Sequence, residues 1–360
     1  FFKSVQGKVV VSTRRPLQVA GGLQTEIQGR LAAVFAPDNH LALDVQVDSR
    51  RPDLKIDLKS EGTWDPRALV VDGYQTSLTA SFPALPGPDG PLHLDGDLTL
   101  SLFQRRAAWQ QTRISLPALG LAARGDLDLA QVDGAPVIDA SVDIAPLALR
   151  PFLEKLGWAV KPADPSALDQ VSAAVRFHYD GQRLAVRELD LQADDTQVRG
   201  TVDIAAFKPL QARFKLAADR VDLDRYLPWS GSSGPADQPS HTEPVDIQGT
   251  LTIGRLTLFG LDAVDVSAQV TADRSVLRFD PVHLTLYEGV TTGMFDVALD
   301  DSDPAWQTRA VVNHVQLRQP LEILFDRPIL SGASDIEAHF WERRGVSPSP
   351  ALPDVRLDVR

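Results

Sequence analysis

The stretch His40–Asp48, which reads HLALDVQVD, shows most directly how this chain folds. Leucine or valine occupies positions 41, 43, 45 and 47, and positions 44, 46 and 48 carry Asp, Gln and Asp. Alternation with a period of two predicts a β-strand with one buried face and one hydrated face, which is typical of antiparallel sheets. The same pattern recurs at 54–58, 92–102, 138–144, 171–177, 212–216 and 264–270.

The segments between these runs indicate hairpin turns and only a few helices. Asp-Gly pairs occur at 72–73, 89–90, 133–134 and 180–181, and such pairs favour short hairpin turns. Apolar residues with helical spacing stand at 149, 152, 153 and 156, and shorter helices are predicted over 222–227 and 320–325. The sequence therefore predicts a mainly β fold with a mostly antiparallel sheet and a few short helices.

A glycine followed by alternating apolar residues recurs at positions 96, 125, 200, 249 and 293. The intervals are irregular, which disfavours a β-helix or another strict repeat. We expect each glycine to mark a bend or bulge where a strand curls.

The apolar face of such a sheet needs a cover. Roughly eighteen strands are expected, whereas open sheets rarely exceed about ten strands without curling or splitting. Two or three short helices are too few to cover that face. A sandwich, a closed barrel and a curled sheet filled by foreign apolar molecules all remain open as solutions.

The chain is predicted to comprise five segments. Pro, Gly and Ser concentrate in residues 230–243 and again near the end of the chain, which is typical of loops. The segments are an N-terminal β part (1–145), a helix-plus-strand part (146–229), a Pro/Gly/Ser loop (230–243), C-terminal β repeats (244–341) and an irregular tail (342–360).

Charge and motif content argue against a nucleic-acid partner and against an enzyme. The 36 Lys and Arg residues and 48 Asp and Glu residues give a net charge of −12, whereas nucleic-acid binding needs a basic face. The chain has no cysteine, and it lacks the common nucleophile, phosphate-loop and zinc-binding motifs. We interpret the acidic clusters at 194–195 and 300–303 as solvated turn carboxylates and rank a carboxylate hydrolase last. No catalytic residue, cofactor or metal site is predicted.

An ordered series of phrases distinguishes residues 144–228. IAPL at 144–147 leads into LRPFLEKLG at 149–157, and DPSAL at 164–168, DDTQVRGTV at 194–202 and VDLDRYLP at 221–228 follow. This series resembles the AsmA family of Gram-negative envelope proteins. The likeness continues at 249–253, 284–289 and 330–332.

The resemblance implies a fold, a location and a function. It implies an elongated, curled sheet that forms a hydrophobic groove, in a protein anchored in the inner membrane with its bulk in the periplasm. The implied function is non-enzymatic phospholipid binding and transfer, which supports lipid supply to the outer membrane and its integrity. We expect the anchor and the contacts with envelope membranes to lie in termini missing from this sequence. Outer-membrane assembly proteins are further expected partners, and a scaffold for outer-membrane protein biogenesis that carries no lipid is the alternative function.

The expected ligands are phospholipid acyl chains, and the expected site is the inward face of the alternating strands. Core packing in a sandwich is the competing interpretation for every candidate. The candidate lining residues are Leu98, Leu100, Val142, Ile144, Val175, Phe177, Phe214, Leu216, Leu251, Ile253, Leu284 and Leu286.

Overall fold

The computed structural model describes residues 6–12, 17–19, 23–25, 27–35, 39–50, 53–65, 67–81, 91–131, 136–155, 160, 162–226, 245–299, 306–325, 332–342 and 354–359. The chain divides into two compact units. Unit 1 comprises residues 1–160, 168–181 and 186–188, and unit 2 comprises residues 161–167, 182–185 and 189–360. The division falls at strand β13 (Leu184–Ala193). The predicted loop over 230–243 lies outside the described residues.

Unit 1 is a meander of antiparallel strands. Each strand from β4 to β12 pairs with the next one along the chain, and β1 pairs with β4. Strands β2 and β3 form a separate two-stranded sheet. The elements are β1 (Gln6–Ser12), β2 (Leu17–Val19), β3 (Leu23–Thr25), β4 (Ile27–Phe35), β5 (His40–Arg50), β6 (Asp53–Asp65), β7 (Val70–Ser81), β8 (Leu92–Ser101), β9 (Arg106–Leu116), a 3₁₀ turn (Pro117–Leu119), β10 (Leu121–Ala130), β11 (Val137–Leu147), α1 (Leu149–Lys155) and β12 (Val171–Tyr179).

Unit 2 repeats this plan with one exception. Strands β14 to β22 pair in sequence order, and all these pairs are antiparallel except β15–β16, which is parallel. A parallel pair cannot be joined by a tight hairpin, and the connection from β15 to β16 begins with helix α2. The elements are β14 (Thr196–Phe207), β15 (Leu210–Asp222), α2 (Leu223–Tyr226), β16 (Val245–Leu258), β17 (Leu261–Ala272), β18 (Val276–Leu286), β19 (Gly289–Ala298), β20 (Trp306–Gln316), α3 (Arg318–Phe325), β21 (Ala333–Glu342) and β22 (Asp354–Val359).

The prediction of a mainly β fold is confirmed. The described residues form curled, mostly antiparallel sheet with three short helices, and these helices overlap the three predicted segments. Residues 354–359 differ from the prediction of an irregular tail, because they form β22 and pair with β21. Val, Leu and Val at positions 355, 357 and 359 show the same alternation as the other strands.

The recurring glycines play two different structural roles. Gly96 and Gly125 lie at register shifts between neighbouring strands, as expected of bulges. Gly249 lies in regular register opposite Phe214 on β15, and a Cβ at this position would fall 2.6 Å from the Phe214 ring. The missing side chain of Gly249 therefore leaves space for an aromatic ring, and the prediction of a bulge there is wrong.

Candidate functional site

The alternating strands of unit 1 align their apolar residues into one continuous face. Leu58 faces Leu78 across β6 and β7, and the row continues along the sheet to β12. Its further members are Leu94, Ile114, Ala123, Ile144 and Ala173. A second row runs alongside the first across the same strands and contains Val71, Leu100, Ala107, Leu129, Ile138 and Tyr179. On β8, β10, β11 and β12 the two rows are six residues apart, and on β7 and β9 they are seven residues apart across a bulge, so these rows belong to the same face.

A bulge on β9 brings an aromatic ring and a hydroxyl group onto this face. Trp109 and Thr112 are three residues apart, so a regular strand would place them on opposite faces. Gln111 adopts a positive φ of 51°, and its N–H donates to Asp126 Oδ1 at 2.9 Å. In the resulting register, Trp109 pairs with Leu127 and Thr112 pairs with Gly125. The sequence pattern alone did not reveal this placement.

Small residues form a further row between the large apolar rows of unit 1. Ser60 and Thr76 lie opposite each other on β6 and β7, and their hydroxyl oxygens are 2.7 Å apart. The row continues through Gly96 on β8 to Thr112 on β9. Ser60, Thr76 and Thr112 are buried, which indicates that the flanking Leu, Ile and Trp side chains cover them. None of these small residues is among the candidate lining residues predicted from the sequence.

Unit 2 has an equivalent apolar face. Leu216 on β15 lies opposite Leu251 on β16, which in turn lies opposite Ala268 on β17. A neighbouring row runs through Phe214, Gly249, Val270, Phe279 and Phe295. Phe295 lies between two aromatic neighbours, with ring centroids 5.9 Å from Phe279 and 6.1 Å from Trp306.

The main apolar cluster of unit 2 is built from a single sheet. Its buried members are Ala218, Ile253, Ala263 and Val266, and half-buried neighbours from β14 to β18 pack against them. Every member of this cluster lies on five consecutive strands. These side chains therefore pack sideways on one another, as in a single layer.

The twelve candidate lining residues divide by unit and by exposure. The six from Leu98 to Phe177 share the apolar face of unit 1, and the six from Phe214 to Leu286 share that of unit 2. Leu98 and Ile253 are buried, with 5% and 7% of their surface exposed. The other ten are half-buried, so they retain apolar surface that protein does not cover.

The opposite face of each sheet carries charged pairs. On unit 1, Arg176 Nη1 lies 2.9 Å from Glu188 Oε2. On unit 2, Arg278 makes two hydrogen bonds of 2.9 and 3.1 Å to the carboxylate of Asp296. The side chain of Asp296 is buried by these contacts. The sheets are thus amphipathic.

The acidic pair Asp194-Asp195 lies in the β13–β14 turn, as predicted, but its carboxylates also accept hydrogen bonds from other side chains. Arg225 Nη1 donates to Asp195 Oδ1 at 2.9 Å, and Arg225 Nε donates to Asp164 Oδ2 at 3.0 Å. The Tyr226 hydroxyl donates to Asp194 Oδ2 at 3.2 Å. Hydrogen bonds from Ser166 and from Arg225 hold the pKa of Asp164 below its usual value. This cluster is an ion-pair network around one arginine.

No group of three or more His, Asp or Glu side chains is placed to hold a metal ion among the residues described above. The acidic cluster at 300–303 lies outside them. In the described part of the chain, no helix has the length and apolar character needed to cross a bilayer.

Comparisons with protein-family models, with curated proteins and with solved structures find no match to this chain.

Proposed function

We propose that the apolar faces of this chain bind phospholipid acyl chains. The observation that carries the proposal is the half-buried state of ten candidate lining residues on the apolar faces, together with a main cluster of unit 2 that is built from the strands of one sheet. An apolar face without a second protein layer is stabilised by apolar molecules that replace the missing cover. Acyl chains match such a face because they are long, flexible and uniformly apolar.

The energetics support a non-enzymatic role in lipid transfer. Each methylene group exposed to water costs about 0.8 kcal/mol, so a bare sixteen-carbon chain costs on the order of 12 kcal/mol. A surface that keeps these methylene groups out of water removes most of that cost during passage between membranes. Such a surface needs no catalytic group.

The AsmA resemblance supplies the biological setting of the proposal. We propose that the protein acts in the periplasm of a Gram-negative cell, attached to the inner membrane. There it would support phospholipid supply to the outer membrane and the integrity of that membrane. The ordered phrases at 144–228 support this setting.

Photo-crosslinking from matched positions tests the proposal. A photoreactive amino acid replaces Leu100 or Leu251 on the apolar faces, and in control proteins it replaces Thr99 or Thr252, which are exposed on the opposite faces. We expect phospholipid adducts from positions 100 and 251 and few from 99 and 252.

Native mass spectrometry of gently extracted protein provides the second measurement. Co-purifying phospholipid supports the proposal. Absence of lipid from several preparations, together with equal crosslinking from both faces, would contradict it and favour a scaffold that assists outer-membrane protein assembly.

A further inference from the structure

Two neighbouring turns of unit 1 expose large apolar side chains. Leu69 lies in the β6–β7 turn, and Leu102 and Phe103 lie in the β8–β9 turn. Phe103 is 82% exposed. The two turns lie side by side, because the N–H of Leu102 donates to the carbonyl oxygen of Leu69 at 3.0 Å. We call Leu69, Leu102 and Phe103 the apolar tip.

The turns that carry the apolar tip are held by hydrogen bonds. Asp65 Oδ1 accepts the N–H groups of Arg67 and Ala68 at 2.8 and 3.2 Å. The N–H of Gln104 donates to the hydroxyl group of the buried Ser101 at 3.4 Å. The exposure of Phe103 is therefore a property of an ordered turn, and folding of the chain does not remove this ring from water.

Arginines accompany the apolar tip although the chain as a whole is acidic. Arg67 and Arg105 lie in the same two turns and are exposed, whereas the net charge of the chain is −12. Asp65, which accepts two backbone N–H groups, is the one carboxylate beside these two arginines in the two turns. Apolar side chains next to guanidinium groups match the boundary between acyl chains and phosphates in an anionic bilayer.

We propose that the apolar tip docks unit 1 on the surface of a bilayer that contains anionic phospholipid. Leu102 and Phe103 enter the boundary of the acyl region, and Arg67 and Arg105 contact lipid phosphates. This inference goes beyond lipid binding by the sheet faces, because it assigns a membrane contact to described residues of this chain.

Vesicle flotation tests the proposal with the full chain. The vesicles consist of phosphatidylcholine alone or of phosphatidylcholine with about one third phosphatidylglycerol. We expect the protein to float with the anionic vesicles and to dissociate as salt increases, because salt screens exposed charges. Phe103→Ser should lower the partition coefficient by about tenfold, since one large apolar side chain leaves the bilayer. Arg67→Gln and Arg105→Gln should each lower it by about fivefold on anionic vesicles only.

Phe259→Ser is the matched control. Phe259 is 46% exposed in the β16–β17 turn, and its N–H donates to the carboxylate of Asp224. Because an acidic side chain caps this turn, the Phe259→Ser substitution should leave vesicle binding unchanged. Circular dichroism should show that Phe103→Ser and Phe259→Ser both fold, since both rings are exposed.

Three results would overturn the proposal. Phe103→Ser could bind vesicles as the unaltered chain does, or Phe259→Ser could lose binding to the same extent. Sedimentation could instead show self-association that Phe103→Ser abolishes, without vesicle binding, which would assign the tip to a second copy of the chain. Lipid crosslinking from position 251 does not depend on the tip, so failure of this proposal is distinguishable from failure of acyl-chain binding.

Discussion

Paired aspartate substitutions on β16 test whether the apolar face of unit 2 is open. Leu251 and Ile253 lie on the same face, two residues apart, and they differ in burial. Ile253 is 7% exposed and belongs to the buried cluster, whereas Leu251 is half-buried at the margin of that cluster. The same substitution should therefore have different consequences at the two positions.

The expected magnitudes follow from this difference in burial. Ile253→Asp removes a buried side chain, which costs about 2–5 kcal/mol, and it adds a carboxylate in apolar surroundings. The total should exceed about 4 kcal/mol. Leu251→Asp can keep its carboxylate hydrated on the open side, so we expect a loss of about 1–2 kcal/mol. A difference of about 3 kcal/mol corresponds to roughly 6–12 °C in Tm for a unit of this size.

Thermal unfolding followed by circular dichroism measures the stability, and native mass spectrometry measures the bound lipid. Leu251→Asp should stay folded and lose phospholipid, because a charge now stands where acyl chains would lie. Thr252→Asp on the hydrated face is the control and should keep both the fold and the lipid. If Leu251→Asp destabilises the protein as much as Ile253→Asp does, the face is sealed by protein, and the argument for an open apolar face is wrong.

Three further predictions concern packing, charge and pH. Gly249→Val should displace the phenyl ring of Phe214, which lies opposite on β15, and lower the free energy of unfolding in urea by about 1–3 kcal/mol. Unchanged stability would show that the ring moves freely. Arg278→Leu should lower the free energy of unfolding, measured in urea, by about 2–3 kcal/mol, although the arginine is half-exposed. The reason is that Asp296 would keep a buried carboxylate without its two charged hydrogen bonds. A loss of stability as small as that of an exposed ion pair would refute this. The pKa of Asp164 is lowered by hydrogen bonds from Ser166, so its stabilising contribution is complete above the unfolded-state pKa and is lost as pH falls through the folded-state pKa. Asp164→Asn should flatten this part of the acid-unfolding profile, and an unaltered profile would contradict the assignment.

Strand positions could be predicted from the sequence because alternation is a local signal. Strand β22, in a segment predicted to be an irregular tail, carries the same alternation, but it follows a proline-rich segment that suggested a loop. The parallel pairing of β15 with β16 was not predictable, since the order of strands in a sheet depends on contacts between distant segments.

Exposure within the predicted face could not be derived from alternation. Leu98 and Leu100 have the same place in the pattern, yet Leu98 is buried and Leu100 is half-buried. Leu98 lies in register between Gly73 and Trp109, whereas Leu100 lies between Val71 and Ala107. Burial depends on these cross-strand neighbours, and one of them reaches this face only through the bulge at Gln111.

Residues from three of the phrases that carry the AsmA resemblance, those at 164–168, 194–202 and 221–228, meet around helix α2, and their positions indicate a structural role. Arg225 binds Asp195 of the β13–β14 turn, and the preceding Asp224 accepts the N–H groups of Phe259 and Gly260 in the β16–β17 turn, both at 2.7 Å. Helix α2 thus joins turns on both sides of the parallel pair β15–β16, where no hairpin connects adjacent strands. These carboxylates are engaged in holding the fold. These phrases stabilise the sheet whose half-buried apolar face we propose to bind acyl chains.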